Sequence, residues 1–298
     1  YVSTDCLLPH AAATTSSVAP RYFDKFFTLR KDSAITFSMC IPVTCTIMKH
    51  LALLIVLITA LGAPGVSGQV RQTQKKMTQQ PRMKVEIWSD MVCPFCYMGK
   101  HRFEKALAQF AHRDDIEVTW HSFQLYPGMK KITAKENAYQ YLARVKGISL
   151  EQSKQMHASV VQLAQSDGLQ YNFDKTTVAN SYNAHRLLQM AKKHGLGSEA
   201  EEHLFKAYFT DGKDIDDIPT LTAIGVATGL DKAAVEKMLH GTEFAAEVAA
   251  DLKEADQIGI SGVPFFVLDR KYAVSGAQPV DTFVASLQRA HAGWQQKK

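Results

Sequence analysis

Lys84-Val-Glu-Ile-Trp-Ser-Asp-Met-Val-Cys-Pro-Phe-Cys96 is the stretch from which the rest of the chain can be read. Residues 84–90 alternate, with Val85, Ile87 and Ser89 on one face, which is the period of a strand. Cys93 follows almost at once. A helix is predicted to start there, with Pro94 in its first turn, where the missing N–H costs nothing. Tyr97, Phe103, Leu107, Phe110 and Ala111 continue at mostly helical spacing. Residues 116–123 alternate again and read as a second strand. The opening is therefore strand, helix, strand, with both cysteines at the first strand-to-helix junction.

Working outward, residues 127–259 are helical in pattern throughout. Helices are predicted over 138–145, 149–166, 176–194, 198–209, 220–228, 231–240 and 243–258, with Gly195 and Gly229 as stops and Asp231 as an N-cap. The end changes character. Residues 262–268 form a short apolar strand, Asp269-Arg-Lys271 a turn, and 272–275 a return strand. A last helix runs from about Pro279 to Ala292. The expected fold class is α/β: β-α-β and β-β-α halves, 83–126 and 260–298, around an all-helical insertion at 127–259.

The chemistry rests on Cys93 and Cys96. A thiol reacts as the thiolate, and the unpaired N–H groups and dipole of a helix N-terminus favour an anion. Cys93 is placed where that effect is largest. Cys96 comes one turn later, and positions i and i+3 are neighbours on a helix, so the sulfurs can bridge. That spacing suits reversible exchange, with Cys93 reacting first and Cys96 resolving the mixed disulfide. Stabilising the reduced thiolate makes the disulfide a better oxidant. An inert structural disulfide is the competing reading. His101 could join the two cysteines at a metal, but no fourth ligand is evident and no metal is expected.

Charge and composition narrow the class further. Hydrophobic residues make up 46% of the 298, which excludes a disordered or low-complexity chain. The net charge of +5 is unevenly held. Residues 1–82 carry 9 Lys/Arg against 3 Asp/Glu, and the remainder 25 against 26. The body is near neutral, so nucleic acid is not an expected partner. Met48-Lys-His50 precedes the apolar run Leu51–Leu61 and then small residues to Gly68, the order of a secretory signal peptide. The run is too short for a membrane span, so none is expected after cleavage. Residues 1–47 are then a leader extension, 48–68 the signal and 69–82 a Gln-rich linker. Translation from Met48 implies an exported protein, from Met77 or Met83 a cytoplasmic one. Of the five cysteines, Cys6, Cys40 and Cys45 precede the cleavage point, leaving only Cys93 and Cys96 in the body.

Cys93-Pro-Phe-Cys96 resembles the active-site motif of the thioredoxin superfamily, and the long helical insertion resembles its DsbA-like branch. Within that branch the chain is similar to FrnE-like proteins. The similarity is carried by Ser89-Asp-Met-Val-Cys-Pro-Phe-Cys-Tyr-Met-Gly-Lys100, Asn180-Ser-Tyr-Asn-Ala-His-Arg-Leu187 and Leu204-Phe-Lys-Ala-Tyr-Phe209. Ser261-Gly-Val-Pro-Phe-Phe266 and Tyr272-Ala-Val-Ser-Gly-Ala-Gln-Pro279 extend it.

The resemblance implies a thioredoxin fold and thiol–disulfide oxidoreductase or isomerase activity. Cys93 would be the nucleophile and Cys96 the resolving thiol. Pro94 and Phe95 would shape the site, a cis Pro264 would face it, and the Val263 backbone would pair with substrate. Asn180, His185 and Phe265 are candidates for a substrate groove, with Asn180 and His185 placed five apart on one helix. The implied partners are protein or peptide thiols and a redox protein or glutathione. No cofactor is implied beyond the cysteine pair.

Two departures stand out. Phe95 occupies a position often held by Trp or His, and a phenyl ring lacks imidazole's charge, which argues against extreme oxidising power. The carboxylate that thioredoxin-like enzymes often carry six residues before the first cysteine is Ile87 here. Strand alternation puts Glu86 and Asp90 on the face opposite Ile87, so neither receives a role, and His121 reads equally as a surface residue or a relay. The branch also resembles 2-hydroxychromene-2-carboxylate isomerases and kappa-class glutathione transferases, which usually hold serine at the Cys93 position and use bound glutathione as the thiol. A chaperone-like binding module around Phe95, Phe265 and Phe266 is the non-enzymatic alternative.

Overall fold

The computed structural model describes residues 81–129 and 136–297. The expected leader and signal segments, most of the linker, Cys6, Cys40, Cys45 and Met77 lie outside the described residues. Strand β1 (Met83–Ser89) leads through helix α1 (Pro94–Gln109) to β2 (Ile116–Ser122). Helices α2 (Ala138–Lys146), α3 (Leu150–Ser166), α4 (Tyr182–Lys193), α5 (Gly197–Phe205), α6 (Ile218–Thr228), α7 (Lys232–His240) and α8 (Ala245–Gln257) follow. Strands β3 (Phe265–Leu268) and β4 (Tyr272–Ser275) and helix α9 (Val280–Gln295) close the fold. The four strands form one mixed sheet in the order β2-β1-β3-β4. β1 runs parallel to β2, with Ile87 opposite Trp120, and antiparallel to β3, with Ile87 opposite Phe266.

The period-two reading of β1 finds its place in the sheet but not its surroundings. Only Lys84 of β1 is exposed. Phe103 of α1, Phe266 and Phe283 of α9 pack on one another against one side. On the other side Trp88 stacks on His121, centroids 4.3 Å apart, and its indole N–H donates to the Asp251 carbonyl of α8. A central strand covered on both faces cannot keep a polar row, and Glu86 is tolerated there because Arg270 pairs with it. His121 is therefore an interior residue. Its Nδ1 lies 2.7 Å from Asp251, which also accepts from the Ser122 N–H and from Gln189.

Two boundaries differ from expectation for local reasons. The predicted helix over 176–194 starts only at Tyr182, because the Asn180 side chain accepts the Tyr182 N–H and turns the chain ahead of α4. Asn180 and His185 are thus not on one helix. The stretch predicted as 198–209 becomes α5 followed by a π-helical turn, Lys206–Thr210. That turn carries Phe209 into an aromatic group with Tyr97, Tyr171 and Phe205, which packs the insertion onto α1.

Candidate active site

Cys93 is the N-cap of α1 and Pro94 its first residue, as the sequence led us to expect. The Cys93 N–H donates to the Asp90 carbonyl and the Cys96 N–H to the Cys93 carbonyl, both at 3.0 Å, so the turn from β1 into α1 is closed by the backbone itself. Both cysteines are free thiols. Cys93 is 4% exposed and Cys96 not at all. Tyr171 anchors the first turn from the insertion, its hydroxyl donating to the Pro94 carbonyl at 2.6 Å.

The Val263–Pro264 peptide is cis, and β3 begins just after it, at Phe265 rather than at Gly262. The Cys93 thiol donates to the Val263 carbonyl at 3.6 Å, which places the two motifs face to face. Gly99 makes this approach possible. A Cβ at that position would stand 2.8 Å from the Pro264 ring, closer than real contacts allow. Phe95 and Phe265 are half-buried beside these residues and pack against the core.

Beneath the cysteines lies a polar interior that the sequence reading did not assign. The Asp90 N–H donates to the Cys96 sulfur at 3.5 Å. The Asp90 carboxylate, wholly buried, accepts the Leu125 N–H at 2.7 Å and lies 3.3 Å from His185 Nε2. Burial pushes the Cys96 thiol well above its ordinary range, and the hydrogen bond and charge of Cys93 push it the same way. Glu201 of α5 is also wholly buried, and neither of its carboxyl oxygens has a hydrogen-bond partner among the described residues. Burial raises it to about 8, against the pull of Lys100.

Asp90 was missed because strand alternation was carried one residue past the end of β1. Its position at the strand-to-helix junction, where side chains no longer alternate, was the available signal. His185 requires correction for the opposite reason. It is fully buried against Asp90, so it supports the floor of the site and does not line a groove. Asn180 is half-buried and accessible. Its amide donates to the Met129 carbonyl at 2.7 Å and its carbonyl accepts from Gln124 at 3.3 Å, and it lines an open groove of about 1370 Å³. His101 faces Glu202, 3.3 Å away.

Comparison with known proteins agrees with this arrangement. The family model described as DSBA-like thioredoxin domain matches residues 84–288. A crystal structure of the probable DsbA oxidoreductase SCO1869 from Streptomyces coelicolor superposes with a TM-score of 0.68 at 40% identity, covering 71% of this chain and 91% of that one. The uncharacterized protein YwbO of Bacillus subtilis (strain 168) is 28% identical over 204 residues, 67% of this chain and 92% of its own length. A structure of 2-hydroxychromene-2-carboxylate isomerase superposes with a TM-score of 0.54 at 16% identity, covering 72% of this chain and all of that one, a likeness of fold.

Proposed function

Since this chain belongs to the family of DSBA-like thioredoxin domains, we propose that it is a thiol–disulfide oxidoreductase working through the Cys93-Pro94-Phe95-Cys96 motif on protein or peptide thiols. The observation that carries this reading is the placement of Cys93 at the N-terminus of α1, its sulfur facing the Val263 carbonyl, with Cys96 buried one turn behind. In the oxidising direction a substrate thiolate attacks Cys93 of the disulfide and Cys96 leaves as a thiolate, which takes up a proton. A second substrate thiolate then attacks the mixed disulfide at the substrate sulfur, releasing Cys93. Two electrons pass from the substrate to the cysteine pair, and the substrate gains a disulfide. The reducing direction runs these steps backwards, with Cys96 resolving the mixed disulfide.

The difference in burial supports the division of labour. Cys93 caps the N-terminus of α1 and is the less buried of the two thiols, so substrate meets it first. Burial shields Cys96 and raises the pKa of its thiol, so a substrate sulfur reaches it only after bonding to Cys93. The second cysteine also favours dithiol chemistry over a mechanism in which bound glutathione supplies the only thiol. Replacing Cys96 by Ser should trap a stable Cys93–substrate mixed disulfide, visible by mass and released by reductant. Replacing Cys93 by Ser should abolish exchange. If the Cys93→Ser protein still exchanges disulfides at the wild-type rate, the reading is wrong.

A further inference from the structure

Helix α6 reads Ile218-Pro-Thr-Leu-Thr-Ala-Ile-Gly-Val-Ala-Thr228 and carries no charged side chain. A helix without a polar face is expected to be covered on all sides. Leu221, Ile224 and Gly225 are indeed buried, and a Cβ on Gly225 would press on Val235 of α7. The opposite face is not covered. Pro219, Ala223 and Val226 lie open to solvent, and Val226, 47% exposed, is among the four most exposed large hydrophobics of the described residues. This face forms the floor of the groove between α6, α7 and the start of α4. Thr222, also in the groove wall, has a buried hydroxyl without a hydrogen-bond partner among the described residues.

The rim is predominantly acidic. Among the described residues Asp216, Asp217 and Glu236 line it, with Asp217 also capping α6 through the Thr220 N–H and hydroxyl, and Lys232 leans toward Glu236 at 3.7 Å. His240 completes the rim. An apolar floor under an acidic rim complements a chain that alternates apolar and basic side chains. The groove is linked to the catalytic end through one of its lining residues. Asn180, at its edge, binds Gln124 and Met129, in the segment whose Leu125 N–H holds the Asp90 carboxylate.

We infer that the α6–α7 groove docks an extended, apolar and net-basic stretch of the polypeptide substrate while a cysteine elsewhere in that substrate reacts at Cys93. The inference rests on the proposed oxidoreductase activity and adds the substrate class. An occupied groove would bury Ala223 and Val226 and set the cationic side chains against Asp216, Asp217 and Glu236. Glutathione, a tripeptide with a net negative charge, has neither the length nor the charge to use it.

The test is steady-state reduction of two disulfide-linked peptides by the full chain, with dithiothreitol supplying the two electrons that return Cys93 and Cys96 to thiols, one peptide rich in Leu and Lys, the other with each Lys replaced by Glu. Oxidised glutathione serves as the reference substrate. Val226→Asn and Ala223→Gln place neutral amides on the exposed apolar floor, and Glu236→Lys reverses the rim. For the basic peptide KM is expected to rise about tenfold in each variant, with kcat and glutathione turnover held. Glu236→Lys should at the same time improve the acidic peptide. Unchanged KM values for both peptides would overturn the inference, as would a wild type that prefers the acidic peptide. If sedimentation shows Val226→Asn converting a dimer into a monomer, a second copy covers this face and the inference is also overturned. Failure of all three substrates with wild type would instead sink the oxidoreductase reading itself.

Discussion

The Val263 carbonyl oxygen stands 3.6 Å from the Cys93 sulfur, so two motifs 170 residues apart in sequence meet at one atom pair. The contact depends on how closely α1 approaches the Pro264 ring, and Gly99 sets that limit. Gly99→Ala would force α1 and Pro264 apart by several tenths of an ångström. Overpacking of this kind costs about 1–3 kcal/mol. We expect a corresponding loss in denaturant midpoint, together with a disulfide-exchange rate at least severalfold lower, measured on a peptide disulfide. A variant of wild-type rate would show that the Val263–Cys93 spacing is not used.

Asp90 influences Cys96 in two opposed ways. Its N–H stabilises the thiolate and its carboxylate charge disfavours it. Asp90→Asn removes the charge and keeps the N–H. The rate at which Cys96 resolves a Cys93 mixed disulfide should therefore reach its plateau at a lower pH than in wild type. Stopped-flow release of a chromophoric thiol reads this step directly. The variant should also lose about 1–3 kcal/mol of stability, because His185 and the Leu125 N–H exchange a charged partner for a neutral one. An unmoved pH profile would mean that the Asp90 charge does not govern Cys96.

Glu201 makes stability fall as pH rises. In the unfolded chain a glutamate ionises near pH 4.3, whereas in the fold Glu201 keeps its proton up to about 8, chiefly through burial. Between those values the folded state binds the extra proton, so its advantage is complete below the lower value and lost by the upper one. Glu201→Gln lacks this dependence. Its stability relative to wild type should grow by about 4 kcal/mol between pH 4 and pH 8. Urea denaturation at several pH values measures it, and parallel curves for the two proteins would contradict the assignment.

Asp251 acts in the other direction. Burial raises its carboxyl, but the hydrogen bond and charge of His121, with Lys192 and the Ser122 N–H, outweigh it and lower the group overall. Its contribution to stability is present above the ordinary carboxylate range near pH 4 and is lost as pH falls through the lower folded value. Asp251→Asn should cost about 3 kcal/mol at neutral pH, since it removes the carboxylate charge from His121 Nδ1 at the joint between β2 and α8 and leaves Glu86, 3.4 Å from Nε2, as the nearby carboxylate. Denaturation monitored by tryptophan fluorescence would register the loss, and Trp88, stacked on His121, contributes to that signal alongside Trp120 and Trp294.

Much of this architecture was legible in residues 84–96. Alternation gave β1, the Cys93-Pro94 pair marked the start of α1, and the order of strands and helices followed. What could not be read were the interactions that local periodicity does not encode. Asp90 and His185 meet across 95 residues, and Glu86 is tolerated in a covered strand only because Arg270 arrives from the β3–β4 turn. Asn180 looked helical by composition, yet its side chain competes for the Tyr182 N–H and delays the helix. The outward apolar face of α6 was equally hidden, since an uncharged helix reads as buried until its neighbours are placed.

The most direct measurement of the central claim is the redox equilibrium of Cys93 and Cys96 against glutathione, using the full chain, with thiol trapping resolved by mass at each cysteine. The expected result is that the two thiols are protected together in one reversible two-electron transition. Its potential should fall between that of thioredoxin-like reductants, about −270 mV, and that of strong oxidants, about −120 mV. Cys93 taking up a single glutathione while Cys96 stays reduced at every glutathione ratio would contradict the account.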